Sequence, residues 1–359
     1  MVQLDRIAGL KAGDRIPSAD LTDLVSGILA ETGMSLFEAE TASKLLVDTQ
    51  LHGIDSHGIA HLPTYVRRIM EGAIEVAPNI KISRNGGASV IDGDNGLGVL
   101  IARHAVDEAC ELAFAYGVGA CAVRNSNHFG AAFPFASDAA KNGYVLLCFS
   151  NAAPTMAPWE GRDAILGTNP LAAAFPSSDG PPVVIDMATS AVARGRIRKA
   201  ARAGEAIPAD WALDEHGQPT TDAAAALKGT VQPLAGAKGY ALTLAVELLS
   251  TALSGGRSGF DVLNPHDKAV APAGVSHLFV AFYPPKFSGE TAASAAADRL
   301  TSKIEASAPR NKSRPRIPGS RANAVAIERG QEGIPLTGDL IASLRESALL
   351  SSRKTAPKS

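Results

Sequence analysis

Three of the chain's eight histidines, His52, His57 and His61, fall within ten positions in LHGIDSHGIAHLPTY, alongside Asp55 and Ser56. Imidazole titrates near neutral pH, so a kinked Ser-His-Gly turn that aims His57 into a cleft supplies a group able to give and take a proton. His57 and His61 also stand at i and i+4, a zinc-ligand spacing if the stretch is helical. No Glu follows the first His as a metalloprotease requires, and Gly58 weakens a helix, so a histidine-metal hydrolase is a remote reading and no metal is expected. The alternative is plain structure, a helix C-terminus broken by Gly53 and Gly58 whose histidines are satisfied by backbone carbonyls.

A second cluster, VRNSNHFGAAF, places His128 after a strand and before a helix, where α/β proteins gather ligand-binding groups. Asn125, Ser126 and Asn127 stand where they can orient it. An Asn-rich helix cap with His128 as a packed side chain competes with that reading.

The only glycine pattern, GDNGLG at 93–98, has the spacing G-x-x-G-x-G, and no acidic residue ends a second strand about twenty positions later, so the Rossmann fingerprint is absent. A phosphate-bearing cofactor can instead be held by LGTNPLAAAFP, with Thr168 and Asn169, by the strand end VVIDMATS, and by GAKGYALTL. In the last of these, Lys238 and Gly239 are expected immediately before a helix, whose free N–H groups favour anions. Asp186 can accept hydrogen bonds from ribose hydroxyls, or else cap a helix beginning near Ser190. Lys238 lacks the apolar surroundings of a Schiff-base lysine. Arg194, Arg196, Arg198, Lys199 and Arg202 read as a solvated helix face, with a 2′-phosphate clamp as the alternative.

The elements that must position these residues follow from periodicity. Residues 18 to about 30 and 35 to about 50 carry helical spacing, the second run opened by a capping box of Ser35 and Glu38. After RNGG at 84–87 strands and helices interleave: ASVIDGD, a helix over 97–116, GVGACAV, a helix over 131–142, YVLLCFS, LAAAFP and PPVVID. A helix near 191–203, another over 240–253, the strand SHLFVAFYP and helical pattern from 291 complete the series.

A chain of 359 residues, 46% hydrophobic, can bury a core without disulfides or metals. Its 34 Lys plus Arg against 36 Asp plus Glu give a net charge of −2, which offers no field for nucleic acid or an anionic membrane and points to a small-molecule partner. Cys110, Cys121 and Cys148 lie in apolar runs with no C-x-x-C spacing, so free thiols in a cytoplasmic, reducing compartment are expected. Neither a signal peptide nor a membrane span is read from the sequence.

The ordered strings GIDSHGIAHLPTYVRRI, NSNHFG, APWEG, LGTNPLA, IDMATS, IPADWALDEHGQPTTD and KGYALTLAVELLS, from about residue 18 to 335, resemble the malate/L-lactate dehydrogenase-like family of NAD(P)-dependent oxidoreductases. That family also includes ureidoglycolate, sulfolactate and diketogulonate enzymes and cyclic-imine carboxylate reductases. The resemblance implies an α+β fold with a non-Rossmann, mostly antiparallel central sheet, plus a helical domain built from both chain ends, in a homodimer. It divides the chain into 1–85 (helical, substrate and dimerisation), 86–289 (cofactor-binding sheet) and 290–359 (return to the helical domain). It implies substrate binding and proton transfer by Ser56 and His57, and an acid/base role for His128 in some members. It also implies a carboxylate substrate near Ser56, His61 and Asn127. Cofactor contacts of NAD or NADP match Asp186, Met187 and Ala188, Lys238, and Pro318 and Gly319 of the late PG. The chain departs from the family at His61, where an arginine suited to a substrate carboxylate is usual, at Glu160 with Gly161, usually a glycine pair, and at Ser320, usually acidic. The expected reaction is hydride transfer between nicotinamide and C2 of a small 2-hydroxy or 2-keto acid. Reduction of a cyclic imine carboxylate is the alternative, and a non-catalytic binding protein stands outside both.

Overall fold

The computed structural model describes residues 2–265, 270–310 and 313–353. The chain opens with α1 (Val2–Ala8), the two-residue strand β1 (Arg15–Ile16), and the helices α2 (Ser18–Glu31), α3 (Leu36–Leu51) and α4 (Leu62–Met70). Ser35 caps α3 as its spacing predicts: its Oγ accepts from the Glu38 N–H at 3.2 Å and its hydroxyl donates to the Glu38 carboxylate at 2.7 Å.

From residue 81 the chain runs through β2 (Lys81–Asn85), β3 (Ala88–Asp92), α5 (Gly98–Tyr116), β4 (Val118–Ser126), α6 (Phe133–Lys141), β5 (Val145–Ser150), β6 (Leu171–Phe175) and β7 (Val183–Met187). An excursion follows through α7 (Arg194–Ala203), the paired strands β8 (Ala212–Leu213) and β9 (Thr230–Val231), which flank α8 (Ala223–Lys228), and α9 (Ala237–Ala252). The chain then re-enters the sheet as β10 (Val275–Phe282) and continues through α10 (Ala292–Glu305), α11 (Ser320–Glu332), β11 (Ile334–Pro335) and α12 (Gly338–Ser351).

Seven strands form the central sheet in the order β2-β3-β4-β10-β5-β6-β7. Every pair is antiparallel except β3 with β4, whose parallel pairing is bridged by α5. A doubly wound Rossmann sheet needs a crossover for each strand pair; here a single crossover suffices, and the sheet is the mostly antiparallel, non-Rossmann one expected. β10 enters its middle, flanked on both sides and packed against α5 and α9, which explains why VSHLFVAF is buried almost throughout.

The helical layer draws on both ends of the chain. β1 pairs antiparallel with β11 through Arg15 opposite Pro335 and Ile16 opposite Ile334. α12 packs on α4, α1 and α2. Leu21, Leu24, Ile28, Leu46, Leu62 and Leu344 are buried in one continuous core with the sheet. α10 instead lies beside β6, tied by the Ser177 hydroxyl donating to Asp298 at 2.6 Å.

One helix start differs from the sequence reading. α9 begins at Ala237, so Lys238 and Gly239 occupy its first turn rather than preceding it. The chain folds back so tightly that a Cβ on Gly239 would stand 1.7 Å from the Leu234 carbonyl oxygen, and this close approach is what the glycine permits. No helix among the described residues is long and apolar enough to cross a membrane.

Candidate active site

The two histidine motifs, 67 positions apart at His61 and His128, meet in one place. After α3 the chain turns at Gly53 (φ +70°), runs through a tight turn over 55–58 carrying Ser56 and His57, and makes one 3-10 turn, Ile59–His61, before α4. The segment is therefore not the single helix that i, i+4 zinc spacing would need. His128 comes from the loop between β4 and α6. The ring centroids lie 5.6 Å apart for His57 and His61, 6.0 Å for His57 and His128, and 4.6 Å for His61 and His128.

The rings of His57 and His128 are held from behind. The Ser56 Oγ lies 2.8 Å from His57 Nδ1. The Tyr65 hydroxyl, in the first turn of α4, lies 2.7 Å from His128 Nδ1, and the Gly130 N–H donates to the same nitrogen at 3.3 Å. A backbone N–H can only donate and Tyr65 is buried with its pKa raised by desolvation, so both groups bring hydrogens to Nδ1. That leaves the neutral ring's proton on Nε2. Burial lowers the pKa of His57, which favours its neutral form. Gly130 (φ +81°) brings the two motifs together: a Cβ there would lie 3.1 Å from the His57 carbonyl oxygen.

His52 has the structural role that was the alternative for the whole cluster. Its Nδ1 lies 2.8 Å from the Asp48 carbonyl oxygen and its ring packs 4.9 Å from Phe133. Asn127 does not face the cleft with its amide: its Nδ2 donates to the carbonyls of Asn95 and Gly96, both at 3.0 Å, and so ties the His128 loop to the glycine turn. That turn, which lacks the nucleotide fingerprint, is a docking point for the loop that carries His128. A Cβ on Gly98 would lie 2.1 Å from the Asn127 carbonyl oxygen and 2.4 Å from that of His128.

The cofactor candidates converge at the end of β7. The Asp186 carboxylate accepts from the Phe133 N–H at 2.9 Å, so it caps α6 and not a helix near Ser190, whose hydroxyl instead donates to Val192. Burial pushes the Asp186 carboxyl up to about 6, opposed by hydrogen bonds from Phe133 and Ala132. Met187 is exposed and Ala188 half-buried beside it. Gly319 (φ +85°) starts α11 against the same strand, with Val184 O 3.0 Å from where a Cβ would be, and Pro318 beside it is exposed. The Thr168 carbonyl accepts from Thr189 N, and Thr189 Oγ1 accepts from Thr243 Oγ1 of α9. Lys238 is exposed in the first turn of the same helix, α9. Asn169 is fully buried, its amide donating to Thr243 O and to Glu247 Oε2. Its part is to fix the loop.

The arginine run forms the mainly exposed side of α7, over buried Ile197 and Ala200. Arg194 is turned aside to donate to Leu227 O, and Arg196 lies over Trp211 at 6.0 Å. Sequence reasoning missed Tyr65, Gly130 and Glu247. Tyr65 stands at i+4 from His61 at a helix start, a spacing that signals a neighbour but not the His128 contact. Glu247 interrupts an apolar helix, which was a visible cue: its carboxylate gathers the amides of Asn151 and Asn169 and the Gly259 N–H.

Residues 16–345 match the malate/L-lactate dehydrogenase family, and the chain belongs to it. It is therefore an oxidoreductase that moves a hydride between a nicotinamide cofactor and a small 2-hydroxy or 2-keto acid. The chain is 36% identical over 328 residues to the (2R)-3-sulfolactate dehydrogenase (NADP(+)) of Chromohalobacter salexigens, covering 91% of this chain and 96% of that one. Among solved structures it resembles the sulfolactate dehydrogenase from Methanocaldococcus jannaschii, with TM-score 0.86, 34% identity and coverage of 94% and 97%. It likewise resembles the delta1-piperideine-2-carboxylate reductase from Pseudomonas syringae pvar. tomato, with TM-score 0.85, 28% identity and coverage of 93% and 99%.

Proposed function

We propose that His57 is the group that moves the substrate proton and that His128 holds the reacting oxygen. The observation that carries this division is the pair of donors on His128 Nδ1. They fix its Nε2 as a donor, whereas His57, neutral through burial and backed by the Ser56 hydroxyl, can accept the proton of a 2-hydroxy acid. Nicotinamide, when bound, exchanges the hydride with C2. In the reducing direction the same His57 returns its proton to the forming hydroxyl.

Ser56 and His61 line the substrate side, and His61 takes the place of the arginine usual at its position as the polar group facing the carboxylate. Asn127 acts through the loop it ties down. Asp186, with two protein donors and acceptor capacity to spare, suits ribose hydroxyls. Met187, Ala188, Pro318 and Gly319 flank the cofactor, Lys238 faces its phosphates, and Asn169 with Thr168 shapes the loop beneath. Residues 1–85 with α11 and α12 form the substrate layer, and residues 86–289 the cofactor layer. Two copies pair through α9, where Leu242, Leu248 and Leu249, with Leu253 at the helix end, are exposed. Three free cysteines fit the cytoplasm.

A second reading, reduction of a cyclic imine carboxylate, is favoured by the likeness to the piperideine carboxylate reductase. Oxidation of NADH and NADPH is to be followed with pyruvate, oxaloacetate, sulfopyruvate and cyclic imine carboxylates. Turnover confined to 2-keto acids supports the main reading, turnover confined to imines replaces it, and turnover of none overturns both.

A further inference from the structure

We propose that His57, His61 and His128 form a binding site for one divalent transition-metal ion of the zinc class. One ring nitrogen from each histidine lies within 4.8 Å of the others, the sole such cluster of histidine, cysteine or carboxylate groups found among the described residues. Two nitrogens on a tetrahedral zinc ion stand about 3.3 Å apart, so the rings must draw together by up to about 1.5 Å, a side-chain movement.

The chemistry of the set selects the ion. Three imidazoles with no carboxylate among them suit zinc, cobalt or nickel and not the oxygen-seeking magnesium or calcium. The acid of the same turn, Asp55, is already committed to Gln50 and to Arg329 of α11. Behind the rings stand the outer contacts that metal-bound histidines use, with the Ser56 hydroxyl at Nδ1 of His57 and the Tyr65 hydroxyl at Nδ1 of His128. For His128 this requires the other tautomer, with the proton moved from Nε2 to Nδ1 to donate to the Tyr65 oxygen and the Gly130 N–H donating to that same oxygen, so that Nε2 of both rings can face the ion. A three-histidine face leaves a coordination position toward the cleft.

Such an ion occupies the lone pair by which His57 accepts a proton. Metal binding rests on the three rings alone, whereas its effect on turnover rests on the role proposed for His57. The ion and the 2-hydroxy acid should compete, and the site acts as a metal-controlled brake.

The test uses the full chain stripped with a chelator and titrated with Co²⁺, followed by visible absorption and displaced by Zn²⁺. Expected is one equivalent bound at micromolar or lower concentration, with the intense visible band of a four-coordinate site. His61→Ala should weaken binding by about 100-fold and Tyr65→Phe by about 10-fold. Circular dichroism and nicotinamide binding verify that each variant is folded, and His128→Gln serves if His61→Ala is not. Absence of the band at millimolar Co²⁺, or unchanged affinity in folded His61→Ala and His128→Gln, overturns the site. With binding established, Zn²⁺ should raise the apparent KM for the hydroxy acid while leaving nicotinamide affinity unchanged. A zinc-bound protein with unaltered KM overturns the brake and leaves the site standing.

Discussion

The Tyr65 hydroxyl and Nδ1 of His128 stand 2.7 Å apart across 63 residues of sequence, linking the first turn of α4 to the loop that leaves β4. Because desolvation holds the Tyr65 pKa far above its usual value, the phenol keeps its proton and fixes the orientation of the imidazole. Tyr65→Phe should lower kcat by about 10- to 100-fold, the usual effect of losing an orienting partner, with little change in nicotinamide affinity. Steady-state kinetics and a fluorescence titration check it; unchanged kcat would remove Tyr65 from the machinery.

His57→Ala should lower turnover by roughly 10²- to 10⁴-fold. His128→Ala, losing an orienting donor, should raise KM more than it lowers kcat. The pH profile separates them further. Burial lowers the His57 pKa, so the neutral, proton-accepting form persists below the ordinary imidazole value of 6.5. For hydroxy-acid oxidation, kcat/KM should therefore be flat above that value and fall only on its acid side, and this limb should vanish in His57→Ala. A limb that survives in His57→Ala and disappears in His128→Ala transfers the role.

The Asp186 carboxyl is raised from 3.8 to about 6, so the folded chain retains a proton that the unfolded chain releases. Stability from this group is fully present below the unfolded value, falls as pH rises through the window between the two, and stays lower above it. Asp186→Asn keeps an oxygen for the Phe133 N–H without the charge. It should raise Tm at pH 8, with the gain shrinking toward pH 4, while weakening nicotinamide binding. Differential scanning calorimetry at both pH values decides; a pH-independent shift contradicts the assignment.

Gly98→Ala pushes a methyl group into the carbonyls of Asn127 and His128. Displacement of the loop by about 1 Å should cost on the order of 10² in kcat while the cofactor still binds. Wild-type kcat in that variant would show that the loop does not depend on the glycine turn.

Local chemistry was well written in the sequence. Ser35 and Glu38 announced the start of α3, the apolar run YVLLCFS announced β5, and the glycines of HGIDSHG announced a break after α3, because each depends on neighbours within a few positions. The partner of Asp186 was hidden for the opposite reason: Phe133 N lies 53 residues away, and any strand-end carboxylate can cap whichever helix the tertiary packing supplies. Asn127 was read from its motif as orienting His128 and contacting substrate, and Asn169 from LGTNPLA as a cofactor contact. Their Nδ2 groups donate inside the protein, to the carbonyls of Asn95 and Gly96 in one case and to Thr243 and Glu247 in the other.

Arg329 of α11 donates to the Gln50 carbonyl and to the Asp55 carboxylate, clasping the turn that carries His57 from 274 residues further along the chain. On the ribosome, helices α2 to α4 emerge long before that clasp, and domains form as their segments arrive. The contacts that Arg329 makes to the turn bearing Ser56 and His57 can form only once α11 has been synthesised, so that part of the turn's support comes late in translation.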